Sequence, residues 1–333
     1  MSVAPTSRPP AGATAQPRKQ EADEPEDHSS AEVSAALGFD SALAVLRDKL
    51  GQWLQSCDPE LRTPLQWQFQ GGSKYFRPLT VFSCFRAQSR AHVIPKEIAN
   101  GAQAVEILHN MSLAIDDILD HSDTRRGRAT LHRRYGQLPS LMASGYMMAE
   151  AYRAVIHDPQ ALELLCELTT RLASAECLQW RLRRQALGVE TWRAIAGEDT
   201  GSMFEVCACL GDRSGALRRF GHLLGLLYHG CDDVADVRGT SALGGGGEDD
   251  LRDGILTLPA AIAILDAPIA RLFSQPEKQD MPALMNAFKG ALPAAETYLD
   301  QIAHDAKTEA QLFAADPSPL IALVEQTRTL SRI

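Results

Sequence analysis

Six aspartates in two clusters of identical spacing are the residues most able to do chemistry in this chain. Asp116, Asp117 and Asp120 close the apolar run Leu113-Ala-Ile-Asp-Asp-Ile-Leu-Asp, and Asp232, Asp233 and Asp236 repeat Asp-Asp-x-x-Asp after Gly221-His-Leu-Leu-Gly-Leu-Leu-Tyr. At 3.6 residues per turn the first and last aspartates of a cluster stack on one helix face, their Cβ atoms about 5–6 Å apart. Like charges at that distance repel, and carboxylates set after apolar sequence are costly unless a cation neutralises them. Oxygen donors without Cys or His suit a hard ion such as Mg²⁺, which keeps several waters and completes its shell with substrate phosphates. One acidic triplet on a helix is usually a solvated face. Two of them, each behind about two turns of apolar residues, point to a shared interior cavity with metal ions between the clusters and a diphosphate as the third partner.

The elements that must position the clusters are helices. Residues 35–55, 97–119, 161–185, 216–237 and 282–306 lack the period-two alternation of strands and suit helices throughout. Pro59, Pro64, Pro78, Pro95, Pro139, Pro259 and Pro282 are expected at helix starts or ends rather than inside them. An all-α single domain, a helical bundle around a central cavity, follows for residues 31–333. Residues 1–30, rich in Pro, Ala, Ser and Glu with almost no large apolar side chain, are expected to be a disordered tail. The longest internal break, Gly239 to Gly247, is too glycine-rich for helix and suits a loop closing over a ligand or a plain connector. No short repeat is visible, although the paired clusters suggest an approximate twofold plan.

Composition narrows the function further. A chain of 333 residues, 45% of them hydrophobic, is long and apolar enough for a sizeable core. Its formal net charge of −9 argues against a nucleic-acid partner or an anionic membrane surface, so an anionic ligand must be handled locally. Seven cysteines without a C-x-x-C motif or matching His spacing predict buried free thiols in a reducing compartment, and no zinc. The start of the chain lacks a signal-peptide pattern and no run approaches the apolar length of a membrane span, which predicts a cytoplasmic protein without stable membrane insertion.

Taken in order, further motifs make the chain resemble the trans-isoprenyl diphosphate synthases, the family of farnesyl, geranylgeranyl and polyprenyl diphosphate synthases. The resemblance runs from Gly72-Ser-Lys-Tyr-Phe-Arg-Pro through Glu106-Ile-Leu-His-Asn-Met-Ser-Leu-Ala-Ile-Asp-Asp-Ile-Leu-Asp, Thr124-Arg-Arg-Gly-Arg-Ala-Thr-Leu-His and Tyr135-Gly. It continues with Glu176-x-x-Gln179, the second aspartate cluster, and Asp250-Leu-x-Asp-Gly-x-Leu-Thr-Leu-Pro. The resemblance implies an all-helical, Mg²⁺-dependent homodimer that joins isopentenyl diphosphate head to tail to an allylic diphosphate in isoprenoid and terpenoid biosynthesis. It further implies that Asp116, Asp117, Asp120, Asp232, Asp233 and Asp236 are the catalytic metal ligands, and that the released pyrophosphate, not a side chain, removes the proton. Lys74, Arg77, His109 and Arg126 match the isopentenyl diphosphate site, whereas Arg125, Thr200 and His229 match the allylic side. Met111 and Ser112, a helical turn before Asp116, match the chain-length gate, where bulky aromatics stop growth early and small residues permit long chains. Met with Ser there implies a twenty-carbon product, geranylgeranyl diphosphate.

Some positions depart from the family pattern. A Lys-Thr pair reads Asp199-Thr200, the Lys before the final Thr-Leu-Pro is Ile255, the glycine run Gly244 to Gly247 lacks a Lys, a Gln reads His229, and Tyr75 occupies an Arg position. Each charge-assisted contact is worth about 1.5–3 kcal/mol, so the allylic side is expected to bind more weakly. Three readings compete: a working synthase, a terpene cyclase derived from the same fold, and a non-catalytic partner subunit. Retention of Lys74, Arg77, His109 and Arg126 favours condensation over cyclisation, and the intact acidic clusters count against a partner subunit.

Overall fold

The computed structural model describes residues 28–70, 72–239 and 247–330, with side chains from 32 onward outside a few terminal and loop positions. Its elements are almost entirely helical, as expected: α1 (His28–Leu37), α2 (Asp40–Ser56), α3 (Pro59–Phe69), α4 (Phe76–Ser89) and α5 (Lys96–Leu119). A two-residue ribbon pairs β1 (Thr124–Arg125) with β2 (Arg128–Ala129) antiparallel, an element the helical reading did not anticipate. Its turn residues Arg126 and Gly127 have φ of 52° and 74°, the left-handed pair that a two-residue hairpin loop requires. Then come α6 (Leu131–Tyr135), α7 (Gln137–Ala154), α8 (Pro159–Leu182), α9 (Val189–Ala196), a π-turn over Gly197–Gly201, and α10 (Ser202–Gly211). The chain closes with α11 (Arg218–Arg238), α12 (Gly247–Asp253), α13 (Leu258–Ala263), α14 (Ala267–Ser274), α15 (Met281–Phe313) and α16 (Ser318–Leu330).

The short helix α10 is the axis of the bundle. Every one of its ten residues is buried, and it packs against α4, α5, α8 and α11. A helix buried on every face, its one charge Glu205 paired with Arg171 and Arg218, is stable only inside a layer of other helices. The approach of α11 to this axis is unusually close. A Cβ at Gly225 would sit 2.6 Å from the Thr200 carbonyl oxygen, and one at Gly221 would sit 2.5 Å from that of Phe204. Only glycine lets the two backbones meet, and the contact carries the second aspartate cluster toward the π-turn that bears Asp199 and Thr200.

Several expectations need correction. The helix expected over 35–55 is broken by Gly38, whose φ of 67° ends α1 and lets α2 start two residues later. Pro64 lies inside α3, where burial of its ring against the core offsets the lost backbone donor, and Pro293 lies inside α15. Of the cysteines, Cys166 and Cys177 are exposed on α8 rather than buried. The disordered-tail expectation falls on residues outside the described ones up to 27, and its last residues begin α1. Residues 240–246 of the glycine stretch are also outside the described residues; Gly239 ends α11 with φ 80°. Among the described residues, no helix is long and apolar enough to cross a membrane.

Candidate active site

The two acidic clusters meet. The end of α5 and the last turns of α11 open onto one cavity of about 250 Å³ whose wall includes Asp116, Asp120, Asp232, Asp233 and Asp236. Glu176, Asp199, Asp250 and Asp253 join them, so nine carboxylates share one space with Arg125 and His229 as the basic groups on its wall. The apolar part of the wall comes from Leu113, Trp192, Ile195, Ile255 and Leu256. Asp120 is the cap after α5 rather than a mid-helix residue, and its backbone N–H still bonds the Asp116 carbonyl. Asp117 is turned away, toward an adjoining pocket that also holds Arg125 and Arg126, and its Oδ1 accepts from Arg125 Nε at 2.8 Å.

Crowded carboxylates resist ionisation. Burial first, then the Glu176 and Asp199 charges, raise Asp116 well above the usual carboxylate range. Burial, then Asp199 and Asp120, push Glu176 up to about 7, and burial with Asp233 pushes Asp232 up to about 6. Asp250 is raised well above its ordinary value by burial and by the second cluster. The donor set is therefore all oxygen, desolvated and short of positive charge, and Asp232 Oδ1 is buried without a hydrogen-bond partner. These residues fit hard divalent cations. They are not drawn together in advance: among the described residues no three His, Cys, Asp or Glu side chains already converge as one metal-holding group, and Arg125 and Arg183 hold two of the first cluster's carboxylates.

Two supports were not foreseen from the sequence. Trp192 Nε1 and the Leu258 backbone N–H both donate to Asp233 Oδ2, at 2.8 and 2.7 Å, so α9 and the start of α13 fix the orientation of the second cluster. Arg183, just past α8, bonds Asp120 Oδ1 at 2.5 Å. Trp192 carries no local sequence signal, but Arg183 stands one helical turn after Gln179 of the Glu176-x-x-Gln179 motif.

The basic candidates form a second group beside the cavity. Arg77 stacks over Phe204 and Tyr228, with its Cζ 5.4 and 5.8 Å from the ring centroids. Arg126 donates to the Gly72 carbonyl at 2.8 Å, which ties the ribbon turn to the segment carrying Lys74. His109 is buried, its Nδ1 lacks a hydrogen-bond partner, and burial together with Arg77 and Arg126 holds its pKa well below the ordinary imidazole value. Lys74 is close enough to the second cluster to act on Asp232 through its charge.

The allylic-side candidates Thr200 and His229 are joined directly. Thr200 Oγ1 lies 2.9 Å from His229 Nδ1, which is 3.6 Å from Asp199 Oδ2, while His229 Nε2 is 3.8 Å from Asp233 Oδ1. Burial opposes the charged imidazole, yet the surrounding carboxylates outweigh it and raise the His229 pKa. The gate candidates do not line the cavity: Met111 is 6% exposed in the core, and the Ser112 hydroxyl donates to the His109 carbonyl. Leu113 faces the cavity instead.

A family model described as polyprenyl synthetase matches residues 58–286. The chain belongs to the polyprenyl synthetase family. It is a trans-prenyltransferase. It is 27% identical over 297 residues to the nonaprenyl diphosphate synthase of Mycobacterium tuberculosis, covering 82% of this chain and 88% of that one. With the octaprenyl diphosphate synthase of Escherichia coli it shares 28% identity over 204 residues, 57% of this chain and 61% of the relative, which is less than two thirds of the relative's length. A polyprenyl synthase from Caulobacter crescentus CB15, solved in complex with calcium and isoprenyl diphosphate, superposes with a TM-score of 0.79 at 24% identity. That match covers 95% of this chain and 99% of the other, and it shows the shared fold.

Proposed function

We propose that this chain condenses isopentenyl diphosphate with an allylic diphosphate, using Mg²⁺ held by aspartates of the two clusters, with Asp117 joining the other five only on release from Arg125. The observation that carries the reading is the convergence of five of these aspartates on one cavity with the Lys74, Arg77, His109 and Arg126 group beside it. Metal ions bound there supply the positive charge that stabilises the departing diphosphate. Arg125, freed from Asp117, has the planar fork suited to phosphate oxygens. Lys74, Arg77 and Arg126 hold the second diphosphate apart from the acidic wall, and His109, kept neutral, hydrogen-bonds it. The apolar residues Leu113, Ile195 and Leu256 shield the reacting carbons from water.

The product is proposed to have twenty carbons, because Met111 places an unbranched, adaptable side chain in the core five positions before Asp116. The names of the relatives, nonaprenyl and octaprenyl diphosphate synthase, favour a longer product as a second reading. Residues 31–333 are proposed to act as one unit in a cytoplasmic homodimer; Leu138, Leu141 and Met142, exposed on one face of α7, support an interface with a second copy.

The test supplies Mg²⁺ and isopentenyl diphosphate with geranyl or farnesyl diphosphate, then geranylgeranyl diphosphate alone, and weighs the products by mass spectrometry. Elongated diphosphates are expected from the pairs, and their masses separate the two chain lengths. A cyclised hydrocarbon from the single substrate would replace condensation with cyclisation, and no product would point to a partner subunit. Asp116→Ala and Asp232→Ala are expected to abolish turnover with the helical content intact, and undiminished activity in either would remove the two-cluster metal reading.

A further inference from the structure

We propose that Arg183 binds the allylic diphosphate, supplying from the rim of the acidic cavity a positive charge that its wall lacks. This rests on the prenyl-transfer reading above. The wall carries nine carboxylates against Arg125 and His229, and no lysine is among its residues. A diphosphate entering such a space meets repulsion even after metal ions have bound, so every cation within reach bears on its affinity.

Arg183 is within reach and is held ready. It caps α8, whose Glu176 and Gln179 are themselves on the wall, and its charge acts on Glu176. Its guanidinium rests 4.3 Å from the Trp180 ring centroid and bonds Asp120 Oδ1 at 2.5 Å, with only 18% of the side chain exposed. The stacking fixes the plane of the fork without consuming its N–H groups. Nε is buried and has no hydrogen-bond partner, a donor left unspent beside an ion pair. Asp120 is also a proposed metal ligand. Were its carboxylate to turn to a bound cation, the guanidinium would be left to pair with phosphate oxygens, and an exchange of carboxylate for phosphate would keep the arginine's charge paired. In the same cluster, Arg125 Nε donates to Asp117 Oδ1.

A simpler role would be a clip joining the ends of α5 and α8, and the experiment separates the two. Inorganic pyrophosphate is titrated by calorimetry, in the presence of Mg²⁺, into the full chain and its Arg183→Ala, Arg183→Gln and Arg183→Lys variants. Michaelis constants for geranyl and isopentenyl diphosphate are measured separately, with thermal unfolding as the control for folding. Loss of one charge-assisted contact predicts pyrophosphate binding roughly 10- to 100-fold weaker in the Ala and Gln variants. The KM for geranyl diphosphate should rise in parallel while that for isopentenyl diphosphate holds, and Lys should restore part of the loss. Unchanged pyrophosphate binding in Arg183→Gln overturns the proposal, as does an equal rise in both Michaelis constants with a lowered Tm, which is the signature of a clip. If Arg183→Ala does not fold, the Gln and Lys variants decide. Failure of the wild-type chain to bind pyrophosphate or turn over either substrate would instead overturn the prenyl-transfer reading beneath it.

Discussion

Adding Mg²⁺ to the protein should expel protons, and the number follows from the site. Glu176 sits at about 7 and Asp232 at about 6, against ordinary values of 4.5 and 3.8. Together they hold about 1.4 protons at pH 6, about 0.6 at pH 7 and about 0.1 at pH 8 by simple titration. Asp116 and Asp250 are raised as well, so these figures are lower bounds. A cation among the carboxylates favours their charged forms, opposes the rise that burial and the like charges cause, and releases the protons. Calorimetric titration of Mg²⁺ in buffers of different ionisation heat reads the proton number directly. The same linkage has a definite sign in stability. Both groups have folded pKa values raised above the unfolded ones, so their contribution is fully present below about pH 4 and is lost as pH rises through 6 to 7. The loss is roughly 3 kcal/mol for each group. The Tm gained on adding Mg²⁺ should therefore be larger at pH 8 than at pH 6. Heats at pH 6 independent of the buffer, or a larger Tm gain at pH 6 than at pH 8, would refute the reasoning.

Two other outcomes follow from the same geometry. Met111→Phe is expected to shorten the product and Met111→Ala to lengthen it, read by mass; because Met111 is packed in the core, an unchanged product profile would shift the gate to another residue such as Leu113. Trp192→Phe removes one of two hydrogen bonds that orient Asp233 and should weaken Mg²⁺ affinity about 10-fold or more, measured by calorimetry, whereas an unaltered Mg²⁺ dependence would leave Trp192 a packing residue.

The primary sequence determined the chemistry's raw material. Spacing alone placed Asp232 with Asp236 on one helix and Asp116 a turn before Asp120, which proved to be the cap of α5, because a 3.6-residue period is a local property of the backbone. The helical architecture was legible for the same reason, since the absence of alternation along 97–119 and 216–237 needs no tertiary information. Where local pattern met a single special residue it misjudged: Gly38 broke a helix that the lack of strand alternation over 35–55 had joined, and Pro64 was accommodated by packing. Only the tertiary structure decided which groups face one another. It turned Asp117 from the cavity toward Arg125, set Trp192 behind Asp233, brought Asp199 to His229 through the glycine contact of α11, and laid Arg183 on Asp120. Apart from Asp117 and Arg125, which the ribbon brings together across eight residues, those pairings join residues distant in the chain. They depend on how the helices around α10 pack, and helix packing is fixed by side-chain and backbone fit across surfaces rather than by the order of residues along any one of them.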